Sequence, residues 1–234
     1  MKINNIKKTI SKKAFTVVEM LVVVGIFVMI SGVILFNSKS FSSSANLQNV
    51  MQDLALAIRK AQGYALGFQT PSVVGGTITG FGVYFGDIKT TNSAWQKKYV
   101  IYGDFNDSGA GAYNPAGSSC GTGSLSAGSE CLEVLSMTTG EKISNVCLSY
   151  NGTSNQMSGS VTGTNCVSAN DAVTMYFNRP KPDAQFCWFK SASPNTCVTT
   201  ISSNAISDVS IEVTALNNSK KIVTVWNTGQ IGIK

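Results

Sequence analysis

The stretch Lys12-Lys13-Ala14-Phe15-Thr16-Val17-Val18-Glu19 leads into an apolar run from Met20 to Phe36, and this junction decides the fold. Basic residues end, an aromatic side chain follows at Phe15, and one carboxylate, Glu19, lies inside the apolar segment. A carboxylate at the centre of a bilayer costs roughly 3 kcal/mol, so such a residue is usually functional and has a cationic partner. A free amino group on Phe15 is a suitable partner.

The apolar segment has the length of a membrane span. Residues 15–36 measure about 33 Å as a helix, which matches a hydrocarbon core of about 30 Å. The apolar part of a secretory signal is shorter, at roughly 7–15 residues. We therefore expect residues 15–36 to be the transmembrane half of an N-terminal helix. The alternative is a secretory signal cut after Ala45, in the small-residue site Ser43-Ser44-Ala45, which releases a soluble binding protein.

The net charge of +6 is concentrated at the N-terminus. All the charged residues among residues 1–14 are lysines, and the remaining chain holds 13 basic and 12 acidic residues. Lysines beside an apolar span stay on the cytoplasmic side, so the chain beyond Phe36 is expected outside. We predict a basic segment over residues 1–14 and a single-pass membrane protein.

Beyond the apolar run, residues 37–44 are polar and Ser-rich, and we interpret them as a break at the outer membrane face. An apolar stripe with helical spacing then predicts an amphipathic helix that ends at Gly67 and packs on a sheet. Residues 37–67 are thus a linker and the amphipathic half of the helix. The stripe consists of Leu47, Val50, Met51, Leu54, Ile58, Ala61 and Ala65.

Residues 68–234 have the pattern of short strands separated by turn residues, which predicts an antiparallel β-rich head and an α+β fold. Asn217-Asn218-Ser219 is predicted to be a hairpin turn, and Gly80-Phe81-Gly82 is interpreted as a turn or strand kink. Gly-, Ser- and Asn-rich segments at 103–130 and 151–170 are expected to be exposed loops. The predicted strands are Gly82–Asp87, Tyr99–Tyr102, Cys131–Met137, Lys142–Tyr150, Ala172–Asn178, Gln185–Lys190, Val209–Ala215 and Lys220–Trp226.

Six cysteines all lie beyond the apolar run. No pair has the spacing Cys-x-x-Cys, and the chain contains no histidine, so the common zinc sites are disfavoured. An even number in an exported region indicates disulfides; buried free thiols are the alternative. The sequence does not fix the pairing, and sequential pairing, with Cys187–Cys197 as the shortest loop, is our hypothesis. The cysteines are Cys120, Cys131, Cys147, Cys166, Cys187 and Cys197.

Asp104-Phe105-Asn106-Asp107-Ser108-Gly109 resembles the opening of a calcium loop, with Asp104, Asn106 and Ser108 as candidate ligands. The twelfth position is Pro115 where such loops carry Glu. The alternative is a turn in which Asp and Asn side chains bind their own backbone. We expect no other cofactor.

Enzymatic activity finds little support in the sequence. Without histidine, Ser–His and Cys–His nucleophile pairs are excluded. The acids are scattered, and no phosphate-binding glycine motif is present. We therefore expect a non-enzymatic protein.

The residues Lys13-Ala14-Phe15-Thr16-Val17-Val18-Glu19-Met20-Leu21 closely resemble the processing site of type IV prepilins and type II secretion pseudopilins. The resemblance implies that residues 1–14 are the basic leader peptide of a single-pass inner-membrane protein, that a prepilin peptidase cuts between Ala14 and Phe15, and that the new N-terminus of Phe15 is methylated. It also implies that Glu19 pairs with the N-terminus of a neighbouring subunit during assembly. The family usually has Gly before the cut bond, where this chain has Ala14.

The segment Leu54–Gln62 and the tail from Trp226 to Ile233 resemble the GspH/FimT-type minor pilins. This resemblance implies a pilin-like fold, in which a long N-terminal helix packs on an antiparallel β-rich head. It implies a minor pilin or pseudopilin of a type IV pilus or type II secretion system. Its implied partners are other pilin subunits, the prepilin peptidase and an inner-membrane assembly platform.

Some minor pilins of this branch are DNA receptors for uptake, which gives a second alternative. The DNA-binding members share a Gly-Arg-x-Arg tail, and this chain has Gly229-Gln230-Ile231-Gly232 there. We therefore do not expect nucleic acid as a partner. Phosphate binding requires several cations on one face, and the candidates are Lys97, Lys98, Arg179, Lys181, Lys190, Lys220 and Lys221.

Overall fold

The structure is a computed structural model that describes residues 16–68, 72–74, 77–90, 94–105, 113, 120, 124–126, 130–150, 156–157, 160–161, 165–190, 193–201 and 204–234. The chain divides into two units, Met1–Ser42 and Ser43–Lys234. The helix α1 covers Val17–Ala65. The strands are β1 (Ser72–Val74), β2 (Gly80–Phe85), β3 (Lys98–Asp104), β4 (Ser124–Ser126), β5 (Cys131–Ser136), β6 (Lys142–Tyr150), β7 (Gln156–Met157), β8 (Ser160–Val161), β9 (Ala172–Asn178), β10 (Ala184–Lys190), β11 (Ser193–Val198), β12 (Thr200–Ile201), β13 (Asn204–Thr214), β14 (Lys220–Trp226) and β15 (Ile231–Ile233).

The helix does not break at residues 37–44, so this prediction is wrong. Ser and Asn cost less than about 0.7 kcal/mol each in a helix relative to Ala, and the segment contains neither Pro nor Gly. The change from apolar to polar residues alters the surroundings that the helix prefers without interrupting its backbone hydrogen bonds.

The second half of α1 confirms the predicted stripe. Six of its members, Leu47, Met51, Leu54, Ile58, Ala61 and Ala65, are almost fully buried. Gly67 follows the helix with a φ of 82°, the left-handed conformation that commonly ends helices. The helix therefore ends where the sequence predicts.

The larger sheet has six strands in the order β11-β10-β9-β2-β3-β5, and all its pairs are antiparallel. β9 lies between β2 and β10, so the chain returns to the centre of the sheet after forming β6 elsewhere. β5 is an edge strand of this sheet. Its residues Glu133 and Leu135 pair with Ile101 and Tyr99 of β3.

The second sheet contains β6, β13, β14 and β15 in this order, with β12 paired to the start of β13. The predicted hairpin turn is confirmed between β13 and β14. Ala215 N donates a hydrogen bond to Ser219 O over 2.9 Å, and Asn218 has a φ of 61°. All eight predicted strands coincide with observed ones, and the fold belongs to the α+β class.

One apolar core is shared by the buried stripe of α1 and one face of each sheet. Tyr64 of α1 packs on Phe81 of the larger sheet, with ring centroids 5.4 Å apart. Gln62 Nε2 donates hydrogen bonds to Pro182 O (3.0 Å), between β9 and β10 of the larger sheet, and to Gly229 O (3.4 Å), between β14 and β15 of the second sheet. The second half of α1 is thus held by contacts to both sheets.

Gly80 and Gly82 lie inside β2, so their interpretation as a turn is wrong. A Cβ atom on Gly80 would meet the ring of Tyr176, and one on Gly82 would meet the ring of Tyr102. The tyrosine rings therefore occupy the space that side chains on these two positions would need. Glycine is required at both positions because a tyrosine ring lies close to the backbone, and not because the chain turns there.

The structure contains three disulfides, and their order is sequential, as hypothesised. Cys120 pairs with Cys131, Cys147 with Cys166, and Cys187 with Cys197. The three bonds close segments with sequence separations of 11, 19 and 10 residues. In the chain-entropy model, loops of this size stabilise a protein by about 3 kcal/mol each.

We predict that Gly82→Ala lowers the free energy of unfolding by about 1–3 kcal/mol, because the new methyl group overpacks against Tyr102. The matched control is Gly63→Ala, since nothing lies within 4 Å of its new Cβ in α1. That change should stabilise the protein by up to about 1 kcal/mol, as alanine favours a helix. Urea unfolding of the full chain in detergent measures both. A neutral Gly82→Ala would contradict the packing.

Candidate functional site

The first half of α1 is apolar and, among the residues that the structure describes, exposed from Val17 to Leu35. Between Val17 and Leu35 every large apolar side chain is exposed, and Glu19 is the only charged residue. The segment is long and apolar enough to cross a membrane. A membrane anchor and a signal sequence share these properties.

Glu19 lies in the first turn of this apolar helix. Its backbone N–H donates a hydrogen bond to Thr16 Oγ1 over 3.3 Å, so Thr16 is the N-cap and Glu19 the third helical residue. Thr-x-x-Glu is the capping-box pattern, and a carboxylate near a helix N-terminus interacts favourably with the helix dipole. Glu19 therefore has a local role at the helix start. Ala14 and Phe15 of the predicted processing site lie outside the described residues.

A groove of about 390 Å³ lies between the second half of α1 and the edge strand β5. We call it the α1–β5 groove. Apolar side chains from both elements line it, together with polar ones near the turn that follows β5. Its lining includes Val50, Asp53, Leu56, Lys60, Glu133 and Leu135.

An ion pair spans the α1–β5 groove. Lys60 Nζ lies 2.5 Å from Glu133 Oε2, with both side chains partly exposed. The hydrogen bond to Glu133 raises the pKa of Lys60, against the opposing effect of partial burial. Burial raises the pKa of Tyr99 at the floor, and the carboxylates of Asp53 and Glu133 raise it further. Two carboxylates and one ammonium group thus surround the groove.

Asp104, the first candidate calcium ligand, is completely buried at the end of β3. Burial raises the pKa of Tyr176 to about 12, and the nearby carboxylate of Asp104 contributes. Glu130 is also buried, and its backbone oxygen accepts a hydrogen bond from Gly103 N. The described part of this segment is therefore not an exposed loop. Asn106 and Ser108, the other candidate ligands, lie outside the described residues.

The seven candidate cations for DNA lie in different places. Lys98 and Lys190 are at one end of the larger sheet, and Arg179 follows the opposite end of β9. Lys98 lies 4.4 Å from the Trp95 ring, and Lys190 lies 4.3 Å from the Trp188 ring. Lys220 belongs to the second sheet. The described structure does not gather these cations onto one face.

No sequence pattern predicts the role of Glu212, a completely buried carboxylate in β13. Its Oε1 atom accepts a hydrogen bond from Ser144 Oγ (2.6 Å) and lies 3.1 Å from Lys220 Nζ. Lys89 approaches the same place through hydrogen bonds to Ser144 O and Asn145 Oδ1. Burial lowers the pKa of Lys89, and the neighbouring Glu212 opposes this effect. This network ties the second sheet together.

Among the residues that the structure describes, no group of three or more Cys, Asp or Glu side chains is placed to hold a metal ion. No family model, curated protein or solved structure gives a significant match to this chain. The functional argument therefore depends on the chain's own residues.

We predict that Glu133→Gln lowers the pKa of Lys60 towards the ordinary lysine value of about 10.4, because the hydrogen-bonding carboxylate is lost. An NMR titration of the Lys60 side chain measures this change. Asp53→Asn is the matched control and should leave the pKa of Lys60 unchanged.

The folded pKa of Lys60 is raised above its unfolded value, so the ion pair stabilises the protein below about pH 10. This contribution disappears as the pH rises through the raised pKa. A pKa of Lys60 that is the same in the wild type and in Glu133→Gln would contradict the pairing.

Proposed function

We propose that this chain is a pilin-like subunit that assembles into a type IV pilus or a type II secretion pseudopilus. The observation that carries the proposal is the single carboxylate, Glu19, in the first turn of a helix whose apolar side chains are exposed as far as Leu35. The resemblance of residues 13–21 to a prepilin processing site gives this carboxylate a role.

The exposed apolar surface of α1 requires surroundings other than water, since each buried CH₂ is worth about 0.8 kcal/mol. In the proposal, the surroundings are first the inner membrane and then the interior of a filament. The lysines of residues 1–14 stay in the cytoplasm, and the β-rich head lies outside. Transfer of the helix from lipid to filament keeps its apolar surface buried throughout.

Prepilin peptidase cuts the bond between Ala14 and Phe15 and methylates the new terminus. The new amino group and Glu19 are then one helical turn apart in sequence, both in apolar surroundings. An unpaired charge there costs roughly 3 kcal/mol. Pairing of Glu19 with the Phe15 amine of a neighbouring subunit removes this cost in the filament. An inner-membrane assembly platform and the other subunits are the implied partners.

A second candidate function is a secreted soluble binding protein cut after Ala45. The unit boundary favours it, because the second unit begins at Ser43 and the buried stripe of α1 begins at Leu47. Cleavage after Ala45 therefore leaves every core residue of the head in place. This candidate gives Glu19 no role beyond capping the helix.

We predict that Glu19→Gln inserts into the membrane normally but is absent from filaments. Gln keeps the capping-box geometry and loses only the charge, so it leaves the neighbour's amine unpaired at a cost of about 3 kcal/mol, or roughly a hundredfold in incorporation. Immunoblots of sheared filaments and of membranes measure the two fractions.

Thr16→Ala is the control for the same helix end. It removes the cap, at a cost of about 1 kcal/mol, and keeps the charge. We expect this variant to assemble. Filaments that contain Glu19→Gln at the wild-type level would overturn the charge pairing.

The mass and N-terminal sequence of the mature protein separate the candidates. We expect methylated Phe15 at the N-terminus. A chain that begins at Asn46 would establish the secreted alternative, and a chain that still begins at Met1 would contradict processing altogether.

A further inference from the structure

We propose that the side chains of Lys89 and Asn145 react with each other to form an intramolecular isopeptide bond, and that the carboxylate of Glu212 catalyses the reaction. The bond links the segment that follows β2 of the larger sheet to β6 of the second sheet. The inference goes beyond the proposed function and does not depend on it, because all the reacting atoms lie in the head.

The strand register places Asn145 of β6 directly opposite Glu212 of β13. Opposite residues on neighbouring antiparallel strands have Cβ atoms about 4.5–5.5 Å apart, so their side chains meet. Asn145 Nδ2 donates a hydrogen bond to Glu212 Oε1 over 3.3 Å. The register shifts beside this pair, and Ser144 is the additional residue on β6. Such bulges are frequent next to active sites, because they change the direction of a side chain.

Lys89 reaches the same amide group from the end of β2. Its Nζ atom donates hydrogen bonds to Ser144 O, over 2.9 Å, and to Asn145 Oδ1. The backbone around Lys89 is fixed at two points. Its N–H donates a hydrogen bond to Asp87 Oδ1 over 3.0 Å, and the preceding residue, Ile88, is buried in the apolar core. Nζ is therefore held at the carbonyl group of the Asn145 side chain.

The charges around the site favour a reactive amine. A lysine becomes a nucleophile when burial or a neighbouring cation lowers its pKa. Although Lys89 is exposed overall, partial burial lowers its pKa; the charge of Glu212 opposes this effect and that of Lys220 supports it. Lys220 Nζ also lies 3.1 Å from Glu212 Oε1 and stabilises the charge of this buried carboxylate. Lys220 therefore favours both an uncharged Lys89 and a charged Glu212.

The reaction balances without an oxidant or a further reactant. The lone pair of the neutral Lys89 Nζ forms a bond to Cγ of Asn145, and the π electrons of the carbonyl move to Oδ1. Nζ and Nδ2 are then bound to the same carbon, beside the Glu212 carboxylate that already contacts Nδ2. The carboxylate takes a proton from Nζ and delivers it to Nδ2. The carbonyl re-forms, the Cγ–Nδ2 bond breaks with its electron pair on nitrogen, and ammonia leaves.

The arrangement differs from an ordinary lysine–asparagine hydrogen bond in its third group. The amine contacts the oxygen of the amide, while a completely buried carboxylate contacts the nitrogen that leaves. Groups held together in this way react with effective concentrations of up to about 10⁵–10⁸ M. The bond joins residues 56 positions apart, whereas the disulfides join residues 10–19 positions apart. It therefore closes the longest loop of the four and constrains the unfolded chain most.

The intact mass of the full chain, measured after reduction of its disulfides, tests the bond. We expect the wild type to lack the mass of one ammonia. Lys89→Arg should have its full mass, because a guanidinium group stays protonated and does not attack a carbonyl. The matched control is Lys181→Arg, at an exposed position outside this network, and it should lose ammonia as the wild type does. A wild-type chain of full mass, or an equal loss in Lys89→Arg, would overturn the proposal.

Tandem mass spectrometry of a tryptic digest locates the bond. Trypsin does not cut after an acylated lysine, so we expect a branched peptide that joins Lys89 to Asn145. Succinimide formation at Asn151-Gly152 also releases ammonia but gives no branched peptide. A loss of ammonia without the branched peptide would therefore reject the isopeptide bond.

Glu212→Gln tests the role of the carboxylate. Gln has the same size but accepts no proton, and proton transfer by a positioned side chain is worth about 10²–10⁴-fold in rate. We expect no branched peptide from this variant. Lys220→Arg keeps a cation beside Glu212 and should still form the bond. Thermal melts establish that both variants are folded. A folded Glu212→Gln that forms the bond at the wild-type level would contradict catalysis by Glu212.

Discussion

Along α1, apolar side chains cover all sides of the helix up to Leu35 and then only one stripe from Leu47 onwards. The two halves therefore require different surroundings, although the backbone is one continuous helix. The stripe is satisfied within the head, by the inner faces of two sheets. In the described structure, the apolar side chains of the first half are exposed. The proposed membrane anchoring and filament assembly both start from this difference.

Much of the fold is predictable because it depends on local pattern. The helical stripe, the left-handed stop at Gly67 and the eight main strands follow from periodicity and turn residues. The sequential disulfides agree with the hypothesis, since cysteines close in sequence meet on neighbouring segments. The break predicted at residues 37–44 is wrong because residues with a weak helix preference do not by themselves interrupt a helix. Flanking helical turns on both sides are enough to carry α1 through it.

The features that the sequence does not predict depend on contacts between residues far apart in the chain. The pairing of β9 with β2 and the Tyr176 ring over Gly80 depend on residues almost a hundred positions apart, whereas the Tyr102 ring over Gly82 comes from the neighbouring strand β3. The pairing of Lys60 with Glu133 across the groove also joins residues that are far apart in the sequence. Periodicity identifies which residues of a strand face inwards, but it does not identify the strand that lies beside it. The sequence therefore does not predict the groove, whereas it does identify Glu19 as a candidate functional residue.

The head has its own apolar core and its own disulfides, and this matters for the proposed assembly. Its core begins at Leu47, three disulfides close loops within it, and the buried Glu212 is neutralised by Lys220 inside the same unit. A subunit that moves from lipid into a filament exchanges the surroundings of its first helical half only. Because the packed core takes no part in that exchange, the head stays folded while the anchor changes partners. In the proposed assembly, the binding energy at the helix start can then be concentrated on the charge at Glu19.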